Sequence, residues 1–287
     1  MRDEPSQTAE SACLFRAADR QRPVATRILD DAYAELFLGT GTRAALSAFR
    51  ATGWIGRRAE KRVPGLATFV IARHRQIDEW LVRALDGPIA QVVVLGAGYD
   101  TRAYRFAKEL RGRPLFELDH PATQRRKREL VAQHARKLPD VDVRHVPIDF
   151  AGQRVDERLL SAGFQPGARA FFVWEGVSMY LTRASLKATL HTLRALAGVG
   201  SELAMDWWYL IDDPGLLATA HRAGASLLHL LGEPVTLSMH PEDVQSYFER
   251  EGYELLERVD AAALESRYVR DERHVYPATY VTLSQTR

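Results

Sequence analysis

Gly96-Ala97-Gly98, followed about twenty residues later by Asp119, is the spacing in this chain best suited to binding chemistry. Gly96 and Gly98 let the backbone turn sharply and pass close under a ligand, with Ala97 between them. Asp119 ends the run Leu115-Phe-Glu-Leu-Asp119, and its carboxylate can accept two hydrogen bonds from ribose hydroxyls. Together these residues describe a site for a nucleoside cofactor. Read more plainly, the glycines make an ordinary tight turn and Asp119 caps a helix beginning near Pro121. Glu117 shares the strand face of Asp119 but sits further down the strand, away from a ribose.

The residues around the turn narrow the choice of cofactor. A dinucleotide site carries a third glycine three positions after the second, for close helix–strand packing beside the pyrophosphate. Thr101 stands there, and Tyr99, Asp100 and Arg102 fill the loop with side chains. Asp100, at the start of the next helix, would repel a pyrophosphate. It suits a cofactor with a cationic end, such as S-adenosylmethionine with its ammonium and sulfonium groups.

Two further carboxylates follow strand-like runs. Asp149-Phe150 stands where an adenine ring would lie, Asp149 accepting from the exocyclic amine and the Phe150 N–H donating to a ring nitrogen; a solvated loop aspartate is the alternative. Glu175 ends the apolar run Phe171-Phe-Val-Trp174, a costly place for a carboxylate without a partner, and the α-ammonium of the cofactor could serve as one.

The elements needed to position these groups are legible. Strands are expected near 91–95, 114–119, 142–147, 169–175 and 201–206, alternating with helices as in a parallel α/β sheet. Leu186, Leu190, Leu193 and Ala197 give the helix 183–197 an apolar stripe. Before the first strand, 44–59 and 65–85 read as helices, and residues 1–12 as frayed chain. After the fifth strand, 210–231 reads as a helical cap insertion. A helix over 241–250 and strands over 253–259 and 275–284, pairing as an antiparallel edge, complete seven strands. The expectation is one domain: a helical preface (13–88), a cofactor-binding core (89–206), a cap (207–240) and a C-terminal helix with antiparallel strands (241–287).

Val94-Leu-Gly-Ala-Gly-Tyr-Asp-Thr-Arg-Ala-Tyr-Arg105, Phe116-Glu-Leu-Asp-His-Pro121, Val146-Pro-Ile-Asp-Phe150 and Trp174-Glu-Gly-Val-Ser-Met-Tyr-Leu181 resemble successive motifs of the leucine carboxyl methyltransferase family. The bacterial polyketide carboxyl O-methyltransferase branch is the nearest in style. The resemblance holds from about Ile28 to Met205 and is loose beyond. It implies a Rossmann-like class I methyltransferase fold and S-adenosylmethionine as cofactor. It further implies that Arg73 pairs with the cofactor carboxylate through a bidentate fork, that Glu175 meets the ammonium, and that a basic residue near the N-terminus, Arg16 or Arg20, makes a second carboxylate contact.

The expected reaction is methyl transfer to an oxygen of a small acceptor. A carboxylate acceptor is already ionised and needs no general base, whereas a phenol or alcohol would need one, such as His74, His221 or His240. Trp207, Trp208 and Tyr209, read as lying just beyond the fifth strand, would line a pocket for an aromatic or polyketide-like acceptor; packing between cap and core is their other reading. Arg75 and the run Gln124-Arg-Arg-Lys-Arg128 read as solvated helix faces. No metal-ligand spacing appears among the nine histidines. Ser178 lacks a nucleophile elbow, and Cys13 falls in a stretch expected to be mobile, so covalent catalysis has no support. A nicotinamide oxidoreductase and a non-catalytic cofactor-binding protein remain as rival classes.

Composition agrees with an enzyme of this kind. The 287 residues are 46% hydrophobic, ample for a core, and 39 basic against 37 acidic residues leave a net charge of only +2, with no general pull toward nucleic acid. No apolar run of about eighteen residues or signal-like segment is seen, and one cysteine forms no internal disulfide. The expectation is a cytoplasmic protein acting on a small molecule, away from membranes.

Overall fold

Val92 to Leu95 is apolar on both sides of its pleat, which suits a strand covered on both faces. In the computed structural model, which describes residues 4–52, 64–150, 152–210 and 236–287, it is the buried central strand β1 (Gln91–Leu95). β1 lies between β2 (Leu115–Asp119) and β4 (Ala170–Trp174), parallel to both. β3 (Val143–Pro147) extends the sheet beyond β2, and β5 (Glu202–Trp208) beyond β4. β7 (Thr279–Thr286) is antiparallel to both β5 and β6 (Tyr253–Asp260), so the seven strands run 3-2-1-4-5-7-6.

One detail of the C-terminal strands differs from expectation. The last strand starts at Thr279 rather than 275, because the Tyr276 N–H bonds to the Gly65 carbonyl and proline at 277 has no N–H for a ladder. It pairs antiparallel with β6 at the edge of the sheet, as expected, and lies between β5 and β6.

The helices are α1 (Gln7–Arg20), α2 (Thr40–Thr52), α3 (Leu66–Leu85), α4 (Arg102–Arg105), α5 (Ala107–Leu110), α6 (Pro121–Gln133), α7 (Val155–Ser161), α8 (Arg183–Leu196), α9 (Val244–Arg250) and α10 (Ala261–Tyr268). Phe69, Ile77, Trp80 and Leu81 of α3 join Leu264 of α10 against the sheet face formed by Val92, Val94, Phe171 and Val173. Leu186, Leu190 and Leu193 of α8, with Phe248 of α9, cover the opposite face, formed by Val93, Leu95, Phe172 and Trp174. The alternation of strand side chains thus divides one sheet between two cores. None of the described helices is long and apolar enough to cross a membrane.

The N-terminal expectation is corrected. Residues 7–12 are helical, with Ser6 capping α1 by accepting from the Ala9 N–H. Ala17 and Cys13 are buried against Ala34, Phe37 and Tyr104, so small residues at helical spacing make the packing face. Cys13 is accordingly not mobile: its thiol donates to the Ala34 carbonyl, and burial pushes its pKa up to about 12. The cap expected over 210–231, all but its first residue, lies outside the described residues, as do 53–59 of the helix 44–59 and the candidate base His221.

Candidate functional site

The strand order places β1 between β2 and β4, the point where successive crossovers turn in opposite directions. In such sheets the crevice outside the strands' carboxyl ends receives ligands. Here it is a cleft of about 440 Å³, floored by Gly96-Ala97-Gly98 and bordered by Asp119, Glu175 and Gly176. Gly96 and Gly98 have φ of +67° and +47°. A Cβ at Gly96 would stand 2.4 Å from Val177 Cγ2, and one at Gly98 would stand 2.8 Å from Ala9 Cβ. The glycines therefore admit the neighbouring walls of the cleft, one of them from α1.

Asp119 closes the glycine loop from the next strand. Its Oδ2 accepts from the Gly98 N–H at 2.5 Å and its Oδ1 from the His120 N–H at 2.6 Å. Burial raises its pKa, and these two N–H donors only partly offset that. The carboxylate keeps lone pairs for a ligand and lines the cleft. It is not the cap of α6; His120 is, accepting from the Ala122 N–H. Phe150 also lines the cleft and is exposed, offering a ring face. Asp149, adjacent in sequence, is not among the lining residues.

The two N-terminal arginines separate clearly. Arg16 is buried and reaches the cleft, Nε donating to Asp31 and Nη2 to the Tyr99 carbonyl. Arg20 is exposed and pairs with Asp30.

Beneath the cleft lies a buried ionic network that the sequence reading missed. Arg73 donates from Nε to Glu175 at 3.1 Å and from Nη1 to Asp206 at 2.7 Å. Arg102, with a fully buried side chain, joins Asp78, Asp100 and Glu175 at 2.7, 2.5 and 2.7 Å. Arg105 holds Asp78 and stands near Asp31, whose carboxylate also receives Arg16 and the Thr101 hydroxyl. Burial pushes the Asp31 carboxyl up, but Arg105 and Arg16 outweigh it and hold the pKa at about 2. Burial likewise opposes ionisation of Glu175, yet its surrounding donors keep it well below the usual carboxylate range.

This network bears on two expectations. The partner that Glu175 requires is supplied by Arg73, His74 and Arg102 of the chain itself. Asp100 does not present a bare charge to the cleft, since Arg102 neutralises it. Thr101, standing where a dinucleotide site has its third glycine, donates its hydroxyl to Asp31. Asp206 was findable: it interrupts the apolar run Leu203 to Trp208, and the cost argument applied to Glu175 applies equally there.

His74 sits in the middle with both ring nitrogens engaged. Nε2 is 2.7 Å from Arg105 Nη2, which can only donate, and Nδ1 is 3.0 Å from Glu175 Oε2, which can only accept. Arg102 Nη2 also lies 3.0 Å from Nδ1, so two guanidinium groups flank the ring and favour its neutral form. Burial and the nearby Arg102 lower its pKa in agreement. His74 has no lone pair left for an acceptor, which removes it as a general base. His74, Asp100 and Glu175 bring ligand-type atoms within 4.8 Å of one another. The Arg102 guanidinium lies among them, bonded to both carboxylates, and fills the place a cation would take.

The aromatic cluster is also corrected. β5 continues through Trp208, so Trp207 and Trp208 are strand residues pointing to opposite faces. Trp207 is fully buried among Tyr247, Phe248 and Tyr280, its Nε1 donating to the Thr282 hydroxyl. Trp208 packs on Phe69 and Tyr276. Tyr209 is half-buried beyond the strand, against His240. None of the three is among the cleft-lining residues. In the run 124–128, Gln124 and Lys127 are buried rather than solvated, Lys127 pairing with Glu117 at 2.7 Å. Arg75 is exposed as expected, paired with Glu79 one turn on, and the Ser178 hydroxyl donates to the Asp206 carbonyl.

Comparison with known proteins adds to this geometry. Residues 9–194 match the family model described as leucine carboxyl methyltransferase. A protein of Rhodococcus jostii, provisionally named an S-adenosyl-L-methionine-dependent methyltransferase, is 31% identical over 202 residues, 69% of this chain and 64% of that protein. One of Parafrankia with the same provisional name is 30% identical over 200 residues, 69% and 62% of the two chains. The chain thus spans a little under two thirds of the length of these relatives. A DUF574 family protein from Streptomyces avermitilis superposes with a TM-score of 0.64 at 14% identity, covering 96% of this chain and 97% of that one. A provisionally named methyltransferase from Thermobifida fusca gives 0.60 at 17%, covering 99% and 96%. At such identities the solved structures speak for the fold alone.

Proposed function

The chain belongs to the leucine carboxyl methyltransferase family and has the Rossmann-like class I methyltransferase fold, and on that premise we propose that it is an S-adenosylmethionine-dependent O-methyltransferase. The observation that carries the reading is the convergence of Gly98, Asp119, Phe150, Arg16 and Arg73 on one cleft at the sheet's switch point. Asp119 would take the ribose, Phe150 and Asp149 the adenine, Arg73 and Arg16 the amino-acid carboxylate, and Glu175 the ammonium.

When bound, the cofactor supplies an activated methyl on sulfur, whose transfer to an oxygen lone pair breaks the carbon–sulfur bond and leaves a neutral thioether. The chain's own contribution is placement. The Asp119 bonds to Gly98 and His120 fix the loop beneath the sugar, and the arginine–carboxylate network gives Arg73 one orientation. Both nitrogens of His74 are committed within the network, a property that favours an acceptor needing no deprotonation, such as a carboxylate. We assign the acceptor to a small, polyketide-like molecule, with a hydroxyl acceptor as the variant that would call on His240 or another base. Among the aromatic residues, Phe150 and Tyr180 line the cleft, whereas Tyr209 is half-buried beyond the end of β5.

Calorimetric titration with S-adenosylhomocysteine and with NAD tests the cofactor, and mass spectrometry of carboxylic and phenolic acceptors tests turnover. Binding of S-adenosylhomocysteine alone, with methylated carboxylate product, is the expected result. Binding of NAD would make the protein an oxidoreductase. Stoichiometric S-adenosylhomocysteine binding without product from any acceptor would make it a non-catalytic binder.

A further inference from the structure

We infer that Asp206 is a positioning residue, which through Arg73 and Gly176 shapes the end of the cleft that receives the cofactor's amino-acid carboxylate; the inference rests on the cofactor reading above. Asp206 lies in β5 with Ala204 and Trp208, on the sheet face turned toward α3. Its side chain is wholly buried and cannot touch a ligand itself. Each oxygen has a distinct partner from a different wall of the cleft: Oδ2 accepts from Arg73 Nη1 and Oδ1 from the Gly176 N–H, both at 2.7 Å. One carboxylate thereby ties the helix before β1 to the turn after β4.

The effect on Arg73 is specific. Glu175 takes Nε and Asp206 takes Nη1, so a planar guanidinium is held at two of its three nitrogens. Nη2 is left with no partner among the described residues, and it lies 2.9 Å from where a Cβ would stand at Gly176. Gly176 has φ of +73° and lines the cleft. Any side chain there would cover that nitrogen, whereas glycine leaves it available. Burial raises the Asp206 pKa, and the Arg73 guanidinium and the Gly176 N–H offset that only in part.

The test uses two ligands that differ only beyond the sulfur. 5′-Methylthioadenosine has the adenosyl group of S-adenosylhomocysteine but neither its carboxylate nor its ammonium. In the Asp206→Asn protein, affinity for S-adenosylhomocysteine should fall roughly tenfold while that for 5′-methylthioadenosine stays at the wild-type value. An equal loss for both ligands would show a merely structural role, and no loss for either would also overturn the inference. If Asp206→Asn does not fold, Arg73→Lys is measured with the same two ligands, since a lysine keeps the charge but not the two-point hold on Glu175 and Asp206. A loss for S-adenosylhomocysteine alone supports the inference, and unchanged affinity or an equal loss for both ligands refutes it. If the wild-type chain binds neither ligand, the cofactor reading itself is at fault and the role of Asp206 falls with it.

Discussion

Nε2 of His74 accepts a hydrogen bond from Arg105 Nη2 at 2.7 Å, so a histidine at the centre of an ionic cluster is kept neutral by a cation. The other ring nitrogen lies 3.0 Å from both Glu175 Oε2 and Arg102 Nη2, so a second proton on the ring would meet a cation on either side. His74 is thus one of several buried groups through which the fold responds to acid.

The folded His74 pKa lies below 6.5, owing to burial and then Arg102, while the unfolded chain titrates at the ordinary value. Between those two values the unfolded state holds more protons, so stability is complete above about pH 6.5 and declines as the pH falls below it. Glu175 and Asp78, whose carboxyls are held low against burial by their cationic neighbours, add a second loss below about pH 4.5. Asp119 and Asp206 act in the opposite sense near pH 4, since burial raises theirs. Thermal melts from pH 4 to 8 should show the decline beginning near 6.5. His74→Gln, which offers a donor and an acceptor but does not titrate, should remove that early onset; a melt profile identical to wild type would refute the assignment.

Arg102 has no exposed side-chain surface and bonds three carboxylates. Arg102→Met would leave those acids with too few partners in a buried site, at a cost of about 3–5 kcal/mol. Urea unfolding measures this directly. A loss under about 1 kcal/mol would mean that the acids find other donors or take up protons without harm.

Replacing Asp119 by Ala removes the acceptor for both Gly98 and His120 and the proposed ribose contact. Affinity for S-adenosylhomocysteine should drop by more than tenfold, equivalent to at least about 1.4 kcal/mol, while the far-UV circular dichroism is retained. Unchanged affinity would place the ribose elsewhere.

Arg273 fastens the N-terminal segment to the C-terminal one, with Nη1 on Asp19 at 2.7 Å, Nη2 on the Thr26 carbonyl and Nε on Asp271. Because Ala9 and Arg16 of α1 line the cleft, loosening this tie should reach the site. Arg273→Ala is expected to cost about 1–2 kcal/mol, to speed tryptic cutting near residues 16–27, and to weaken S-adenosylhomocysteine binding modestly. Proteolysis at the wild-type rate would show that α1 is held by its apolar face alone.

Much of the fold was legible because its signals are local. Val92 to Leu95, Phe171 to Trp174 and the stripe on α8 announce buried strands and an amphipathic helix by composition and period. The Gly96–Gly98 turn and Asp119 were legible for the same reason: a backbone conformation and a carboxylate at a strand's end are properties of short segments. The helix α10 and the start of α1 were less so, their apolar stripes being short and made partly of alanine.

Sequence alone therefore determined where β1, β2 and β3 end and which residues stand at those ends, since hydrophobic period and turn chemistry act over a few neighbours. Only the tertiary structure decided how those residues pair. Arg73 meets Asp206 across 133 positions and Arg102 meets Glu175 across 73, and an isolated charge in a sequence gives no sign of the partner that burial will force upon it. The same holds for Trp207 and Trp208: their neighbours, not their type, made one of them core on each face of the sheet.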